Sequence, residues 1–177
     1  MRHPLAPMSL SIRILTWVLL AFPALFVAFG AAAGPPARAF LLAVGLATAG
    51  LYGAVWLWWR PTAFEVSGEG LTIRFPARRR RVPAADLSGA RALTGAEFRR
   101  DYGFALRIGV GGLWGGFGWL WTRRRGLVEF YVSRLDGFVL VQRRQGRPIL
   151  VTPVDPEGLV RSLSTSGVSK GQATSPS

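Results

Sequence analysis

The chain has 177 residues, half of them hydrophobic, and carries a formal net charge of +13 from 22 basic and 9 acidic residues. It has no cysteine and a single histidine, His3, near the N-terminus. This composition excludes disulfides, thiolate metal sites and cysteine nucleophiles, and it argues against any mechanism that needs a buried histidine.

The N-terminal third contains two apolar runs without a charged residue. The first run, 14–37, lies between Arg13 and Arg38, and the second, 39–59, lies between Arg38 and Arg60. A helix needs about 20 apolar residues to cross the hydrocarbon core of a bilayer. Both runs reach that length, so we predict a transmembrane helix hairpin.

The predicted hairpin occupies residues 1–60, with helices at about 12–33 and 38–59. The Gly-Pro-Pro segment at 34–36 forms the turn, because a proline cannot continue a helix. Each helix carries small residues every four positions, which would let the two helices approach closely. The predicted packing positions are Ala24, Ala28 and Ala32 on the first helix and Gly45, Ala49 and Gly53 on the second.

Basic residues in short flanks indicate which side of a membrane each end of a helix occupies. The loop between the two helices carries Arg38 alone, whereas both outer flanks are basic. The flanking residues are Arg2 and Arg13 before the first apolar run and Arg60 and Arg78–Arg81 after the second. We therefore predict a multi-pass protein of the cell membrane with both termini in the cytoplasm.

The start of the chain also has features of a signal peptide. Arginine precedes an apolar stretch, and Ala-Ala-Ala at 31–33 or Ala-Arg-Ala at 37–39 fits the A-x-A pattern of a cleavage site. The apolar run is, however, longer than the usual signal-peptide core of about 7–15 residues. In this alternative the second helix would still anchor the chain and keep the following domain in the cytoplasm.

Beyond residue 60 the apolar pattern becomes alternating, which is typical of strands. The segments 64–66 and 71–75 alternate around a Ser-Gly-Glu-Gly turn and predict a hairpin. Asp155 is the expected N-cap of a terminal helix. Further strands are predicted near 80–82, 86–93, 104–110, 127–133, 138–142 and 149–152. We predict an α+β chain with a domain at 61–163 and a disordered tail at 164–177.

The order of these segments resembles the bacterial pleckstrin-homology-like (PH-like) domain family over about residues 62–163. The resemblance implies a strongly bent antiparallel β-barrel closed at one end by the C-terminal helix. Members of that family with one or two membrane helices before the domain are familiar, and most have no established biochemical activity. The sequences that carry the resemblance are FEV at 64–66, GLTI at 70–73, VPAADLSGARAL at 82–93, LRIGVGGLWGGFG at 106–118, VEFYVS at 128–133, FVLVQ at 138–142 and ILVTPVDPEGLVRSL at 149–163.

The sequence offers few residues for enzymatic chemistry. All acidic residues lie between Glu65 and Glu157 without a paired pattern. His3 is separated from every predicted strand by a membrane helix, so a hydrolytic triad has no base. The glycine-rich segment near residue 110 lacks the Gly-Lys-Ser/Thr ending of a phosphate loop. We predict no catalytic residue, no metal site and no cofactor.

The segment 109–121 is rich in glycine and tryptophan and lies in a charge-free interval too short to span a bilayer. One interpretation is a bend between strands, with the aromatic side chains in the core. A second is a loop that enters the lipid headgroup region beside arginines that meet anionic lipid, and a third is a protein contact. The candidate lipid contacts are Trp114, Trp119, Trp121, Arg123, Arg124 and Arg125.

The other basic run is either a solvated turn or a second lipid contact, worth about 1 kcal/mol per basic residue near an anionic surface. Its members are Arg78, Arg79, Arg80 and Arg81. Aromatic and basic residues together also bind single-stranded nucleic acid, but a membrane tether explains the positive charge without it.

These observations predict a non-catalytic, membrane-anchored module for binding or scaffolding at the cytoplasmic membrane face. Its expected partners are the lipid bilayer and anionic lipid headgroups. The alternative is an accessory subunit of a larger membrane assembly, such as a transporter or envelope machinery. In that case an unknown membrane protein would contact the transmembrane helices.

Overall fold

The computed structural model describes residues 1–166. Within them the helices are α1 (Leu10–Ala32), α2 (Pro35–Trp58), α3 (Gly95–Tyr102) and α4 (Pro156–Thr165). The strands are β1 (Arg2–Pro4), β2 (Ala63–Ser67), β3 (Gly70–Arg74), β4 (Arg79–Pro83), β5 (Leu87–Leu93), β6 (Ala105–Gly111), β7 (Gly116–Thr122), β8 (Gly126–Val132), β9 (Phe138–Arg143) and β10 (Ile149–Val151). The predicted tail at 164–177 begins within α4, and the part after residue 166 lies outside the described residues.

The helices α1 and α2 pack against each other as a pair, and each is long and apolar enough to cross a membrane. Pro35 and Pro36 form the first turn of α2 instead of the connection, which is limited to the residues around Gly34. Proline is tolerated there because the first N–H groups of a helix have no partner within it. The second helix therefore begins at Pro35 rather than near residue 38.

The contact between α1 and α2 includes one of the six predicted packing positions, Gly45, but not the other five. Gly45 is buried, and a Cβ at that position would lie 3.2 Å from the carbonyl oxygen of Pro23. Gly30 packs equally closely on Leu42. The prediction of two facing stripes is wrong, because Pro23 and Gly30 lie on the side of α1 that meets α2. The predicted positions Ala24, Ala28, Ala32, Ala49 and Gly53 are exposed.

Two β-sheets form the domain, in the strand orders β1-β2-β3-β4 and β5-β9-β10-β8-β7-β6. Neighbouring strands are antiparallel except β8 and β10, which are parallel, with Phe130 opposite Leu150. The connection at 133–137 carries the chain past the position that β10 later fills between β8 and β9. The implied all-antiparallel barrel is therefore corrected to two sheets with one parallel pair.

The main hydrophobic core lies between the two sheets. Phe64 from β2 and Phe117 from β7 are fully buried there, together with Leu159 and Leu163 of α4. Full burial of one such side chain contributes about 1.5–3 kcal/mol. The terminal helix is short, but its apolar face completes this core, as the resemblance implies.

A second core lies under α3, a helix that is absent from the elements predicted between residues 93 and 104. Thr94 and Glu97 form a capping box, in which each side chain accepts a hydrogen bond from the backbone N–H of the other. Phe98 and Tyr102 are one turn apart, stack with ring centroids 4.6 Å apart and pack on the six-stranded sheet. The spacing Thr-x-x-Glu is the sequence signal that predicts this helix.

Strand β1 precedes the helices in the chain but belongs to the four-stranded sheet that follows them. Arg2 lies opposite Glu65, and Pro4 opposite Ala63. The N–H of Ala6 donates to the carbonyl oxygen of Thr152 at 2.9 Å, which extends the contact towards β10. The chain therefore enters α1 from the sheet and returns to it after α2, and residues 1–5 complete the domain predicted to start at residue 61.

His3 lies in β1 and contacts the terminal helix. Its Nε2 atom is 2.9 Å from Oγ of Ser162, a buried hydroxyl that also donates to the carbonyl oxygen of Gly158. The expectation that a helix separates His3 from every strand is wrong, because β1 brings the histidine back to the sheet. Burial lowers the pKa of His3 from its ordinary value of 6.5, despite the opposing charge of Asp155.

We expect the stability of the full chain to fall as the pH is lowered through the His3 transition. Because the folded pKa lies below 6.5, the unfolded chain binds the proton more readily. The stabilisation is therefore complete above about pH 6.5 and is lost as the pH falls through the folded pKa. Thermal unfolding in mild detergent measures this change. His3→Gln should lack this part of the pH dependence, and identical profiles for both proteins would contradict the assignment.

Candidate functional site

The hairpin of β6 and β7 ends in a tight tip at residues 112–115. Gly112 and Gly115 have φ values of +103° and +148°, and the N–H of Gly112 donates to the carbonyl oxygen of Gly115 at 2.9 Å. Trp114 lies between them with φ of +56°, in the left-handed region that non-glycine residues rarely adopt. The glycines thus permit a conformation that projects one tryptophan from the tip.

This tip contacts the helix pair. The hydroxyl proton of Thr16 in α1 is shared between the carbonyl oxygens of Gly112 and Ile12, both 2.8 Å from Oγ1. The same Oγ1 accepts a hydrogen bond from the N–H of Trp114 at 3.0 Å. The Trp114 ring packs edge-on against Trp56 of α2, with centroids 4.8 Å apart. Gly112 leaves room for Leu15, which would lie 2.8 Å from a Cβ at that position.

The turn between β3 and β4 holds the end of α2 in a similar way. The N–H of Ala77 donates to the carbonyl oxygen of Leu57 at 3.0 Å, and Nε of Arg78 donates to that of Trp58 at 2.7 Å. Together with β1 and the β6–β7 tip, this turn gives the helix pair three points of attachment. The orientation of the domain relative to the helices is thereby fixed.

A cleft of about 420 Å³ lies beside the end of α2, between β4 and the strands β7 and β8. Trp59 and Trp119 supply aromatic walls, and Arg78 and Arg80 supply positive charge. Phe117, Glu129 and Tyr131 also line it, with backbone at the glycines of β6 and β7. We call this the α2 cleft.

The two arginines of the α2 cleft differ in their electrostatic environment. Arg80 forms an ion pair with the buried carboxylate of Glu129 and donates to Oη of Tyr131 at 3.1 Å. Tyr131 in turn donates to Glu129, and burial raises the pKa of its hydroxyl. Arg78 stacks over Phe75 at 4.5 Å and forms no ion pair within residues 1–166. Arg78 is therefore the uncompensated positive charge of the cleft.

An exposed apolar surface continues from the cleft along β6 and β7. Ile108 lies opposite Trp119 and Leu106 opposite Trp121, so all four side chains share one face of the hairpin. They are 43–54% exposed. β6 is also the edge strand of its sheet, so within residues 1–166 no strand pairs with its outer edge. We call these four residues the β6–β7 strip.

The structure separates the three tryptophans of the predicted interfacial loop. Trp119 and Trp121 lie on strand β7 in the strip, whereas Trp114 is half-buried against α2 at the tip. The interpretation as one loop with three lipid-facing tryptophans is therefore wrong. The glycines do form a bend, but its tryptophan packs on the helix pair and not in the domain core.

The two arginine runs are also divided by the structure. In β4, Arg80 points into the cleft, while Arg79 and Arg81 are exposed on the opposite face because side chains alternate along a strand. Arg123, Arg124 and Arg125 form the turn between β7 and β8, at the end of β7 away from the tip. Arg124 and Arg125 both contact Tyr102 at the end of α3. The backbone N–H of Arg124 donates to the carbonyl oxygen of Tyr102, and the guanidinium of Arg125 lies over the Tyr102 ring.

The acidic residues serve local structure. Asp86 pairs with Arg143 at 2.7 Å, Asp101 pairs with Arg91 at 2.8 Å, and Asp155 caps α4. Within residues 1–166 no group of three or more histidine, aspartate or glutamate side chains is placed to hold a metal ion.

Comparison with known protein families gives a match. The family model described as Bacterial PH domain matches residues 62–166, more than half of the chain. The chain belongs to the bacterial PH domain family. No curated protein and no solved structure matches it.

The match to the bacterial PH domain begins just before β2 and ends after α4. It therefore includes the α2 cleft strands and the β6–β7 strip, but not β1, α1 or α2. In this bacterial PH domain the first strand of the four-stranded sheet, β1, precedes the two helices in the chain, whereas the other three strands follow them. Sequence reasoning missed that strand, and its three residues carry no recognisable alternation.

We expect Thr16→Val to weaken the attachment of the β6–β7 tip. Valine has nearly the same shape but leaves the carbonyl oxygen of Gly112 and the N–H of Trp114 without a partner. An unpaired buried polar group costs about 1–3 kcal/mol, so thermal unfolding of the full chain in mild detergent should begin at a lower temperature.

The matched control is Thr48→Val on α2. The hydroxyl of Thr48 bonds the carbonyl oxygen of Val44 within its own helix and no residue of the domain. An equal effect of the two substitutions would contradict a specific contact between tip and helix.

Proposed function

We propose that this bacterial PH domain is a non-catalytic module held at the cytoplasmic face of the cell membrane by α1 and α2. In this proposal Arg78 attracts anionic lipid headgroups, and the β6–β7 strip contacts the lipid surface. The observation that carries the proposal is the fixed placement of an uncompensated arginine and an exposed apolar strip beside one end of two long apolar helices.

Membrane anchoring is supported by the surface of the helix pair. Large apolar side chains such as Phe29, Phe40 and Leu46 are more than 60% exposed, which is costly in water and favourable in lipid. Trp17 and the tryptophans at 56, 58 and 59 lie towards the end at which the domain is attached. Tryptophan is enriched at membrane–water interfaces, so this end is the proposed boundary.

The proposed orientation follows from charge and from β1. The outer flanks of the helix pair are more basic than the loop with Arg38, which favours a cytoplasmic domain. Pairing of β1 with β2 keeps residues 2–4 and the domain at the same end of the helices. Cleavage at 31–33 or 37–39 would remove β1 from the sheet, which argues against the signal-peptide alternative.

Lipid contact by the domain is supported by the combination of charge and apolar surface. A basic residue near an anionic surface contributes about 1 kcal/mol, which by itself gives weak attraction. The helix pair already holds the domain at the membrane, so the strip and Arg78 need only set its contact with the lipid. An exposed apolar surface that includes two tryptophans, with an adjacent arginine, suits that role.

The second candidate function is that of an accessory subunit in a larger membrane assembly. The observation that favours it is the exposure of the small-residue stripes on both helices. Nothing lies within 4 Å of a Cβ at Gly53, and Ala24, Ala28 and Ala49 are exposed as well. Such surfaces allow a further helix to approach closely.

Site-directed spin labelling tests the proposed lipid contact, because the chain has no native cysteine. We expect a label at Ile108→Cys, in the full chain in anionic liposomes, to be accessible to oxygen and shielded from a water-soluble nickel reagent. A label at Gln145→Cys, in the exposed turn between β9 and β10, should show the reverse.

The charge dependence is tested with Arg78→Gln. This variant should reduce the lipid exposure of the Ile108 label more in anionic than in zwitterionic liposomes. The proposed lipid contact fails if labels at 108 and 145 are equally exposed to water. If Arg78→Gln changes the lipid exposure of the Ile108 label equally in anionic and zwitterionic liposomes, the proposed role of Arg78 fails.

A further inference from the structure

A second cavity of about 420 Å³ lies where the chain enters α1 and leaves α2. It is lined by the segment 5–8, by Arg13 in the first turn of α1, and by Arg60, Pro61 and Thr62 after α2. It shares no lining residue with the α2 cleft. We call it the entry cavity.

The backbones of its two arginines are fixed by the helix ends. The N–H of Arg13 donates to the carbonyl oxygen of Ser9 at 2.9 Å, and that of Arg60 donates to Val55 at 3.2 Å. Pro61 then prevents the helix from continuing. The guanidinium of Arg60 lies over the Trp56 ring, 4.1 Å from its centroid, which restricts where that side chain can go.

Neither arginine has a counter-charge. Within residues 1–166, no carboxylate forms an ion pair with Arg13 or Arg60. The Nε atom of Arg60 is buried and has no hydrogen-bond partner. Burial also lowers the pKa of Arg60, and no neighbouring charge opposes that shift. Because both arginines line one cavity and neither has a counter-charge, a bound anion would stabilise this arrangement.

The donors present in the entry cavity suit a tetrahedral oxyanion. A guanidinium offers several N–H donors in a fixed plane and binds phosphate through paired hydrogen bonds. We propose that the entry cavity binds a phosphate group through Arg13 and Arg60. Its source, which rests on the membrane placement proposed above, is the phosphodiester of a phospholipid headgroup, since both helix ends would then lie at headgroup level.

Native mass spectrometry of the full chain in mild detergent tests this inference. The probes are phosphatidylglycerol, phosphatidylcholine, diacylglycerol without a phosphate, and inorganic phosphate. We expect both phospholipids to be retained and diacylglycerol to be lost. Arg60→Gln should weaken retention about tenfold, equivalent to about 1.4 kcal/mol, and Arg13→Gln should act in the same direction.

The matched control is Arg38→Gln, which removes the same charge at the other end of the helix pair. It should leave phospholipid retention unchanged. If Arg60→Gln does not fold, as judged by circular dichroism, the exposed Arg13 provides the test. Arg60→Lys keeps the charge without the planar donors and should bind less tightly than the native chain.

The possible results separate the two proposals. Equal retention by the native chain and the Arg13 and Arg60 variants, or equal retention of diacylglycerol, would overturn the phosphate site. Binding of inorganic phosphate alone, lost in Arg60→Gln, would support the site and overturn the lipid source. If the Ile108 label is shielded from the nickel reagent but lipid retention does not depend on a phosphate group, this inference is overturned and the proposed function stands.

Discussion

The pairing of β1 with β2 is the constraint on which the rest of the structure depends. It places Arg2–Pro4, which precede α1, in the same sheet as β2, which follows α2. The start of α1 and the end of α2 are therefore both attached to the same sheet. A two-helix anchor joined to its domain only at residue 60 would swing freely. Here the pairing of β1 with β2 is a second attachment that stops this motion. The contact of Thr16 with the β6–β7 tip is a third.

Fixed attachment decides which surfaces of the domain would meet a membrane in the proposed placement. The α2 cleft lies beside Trp59, and the β6–β7 strip continues from it through Trp119. The entry cavity contains Arg60, which follows directly in the chain. All three features lie near the domain-side end of the helices. The bacterial PH domain therefore presents a defined face, whereas a flexible tether would present every face in turn.

Much of this arrangement could be predicted from the sequence, and the rest could not for identifiable reasons. Charge-free runs as long as a membrane-spanning helix indicate α1 and α2. The alternation of apolar and polar residues indicates the hairpin of β2 and β3. Strand β1 is too short to show alternation. The prediction that Ala24, Ala28 and Ala32 pack against α2 is wrong because alanine is common in apolar helices whether or not it lies in a contact. Pro23 lies on the contact face instead. The unpartnered Nε of Arg60 depends on tertiary burial, which no local pattern reveals.

The most direct test of the central claim is a distance distribution between the helix pair and the domain, measured by double electron–electron resonance. Spin labels at Arg38→Cys and Gln145→Cys report on the far end of the helices and on the β9–β10 turn, and the chain has no other cysteine. A fixed attachment predicts one narrow distribution that broadens when residues 2–5 are replaced by glycine and serine. A broad distribution in the native chain would contradict the account.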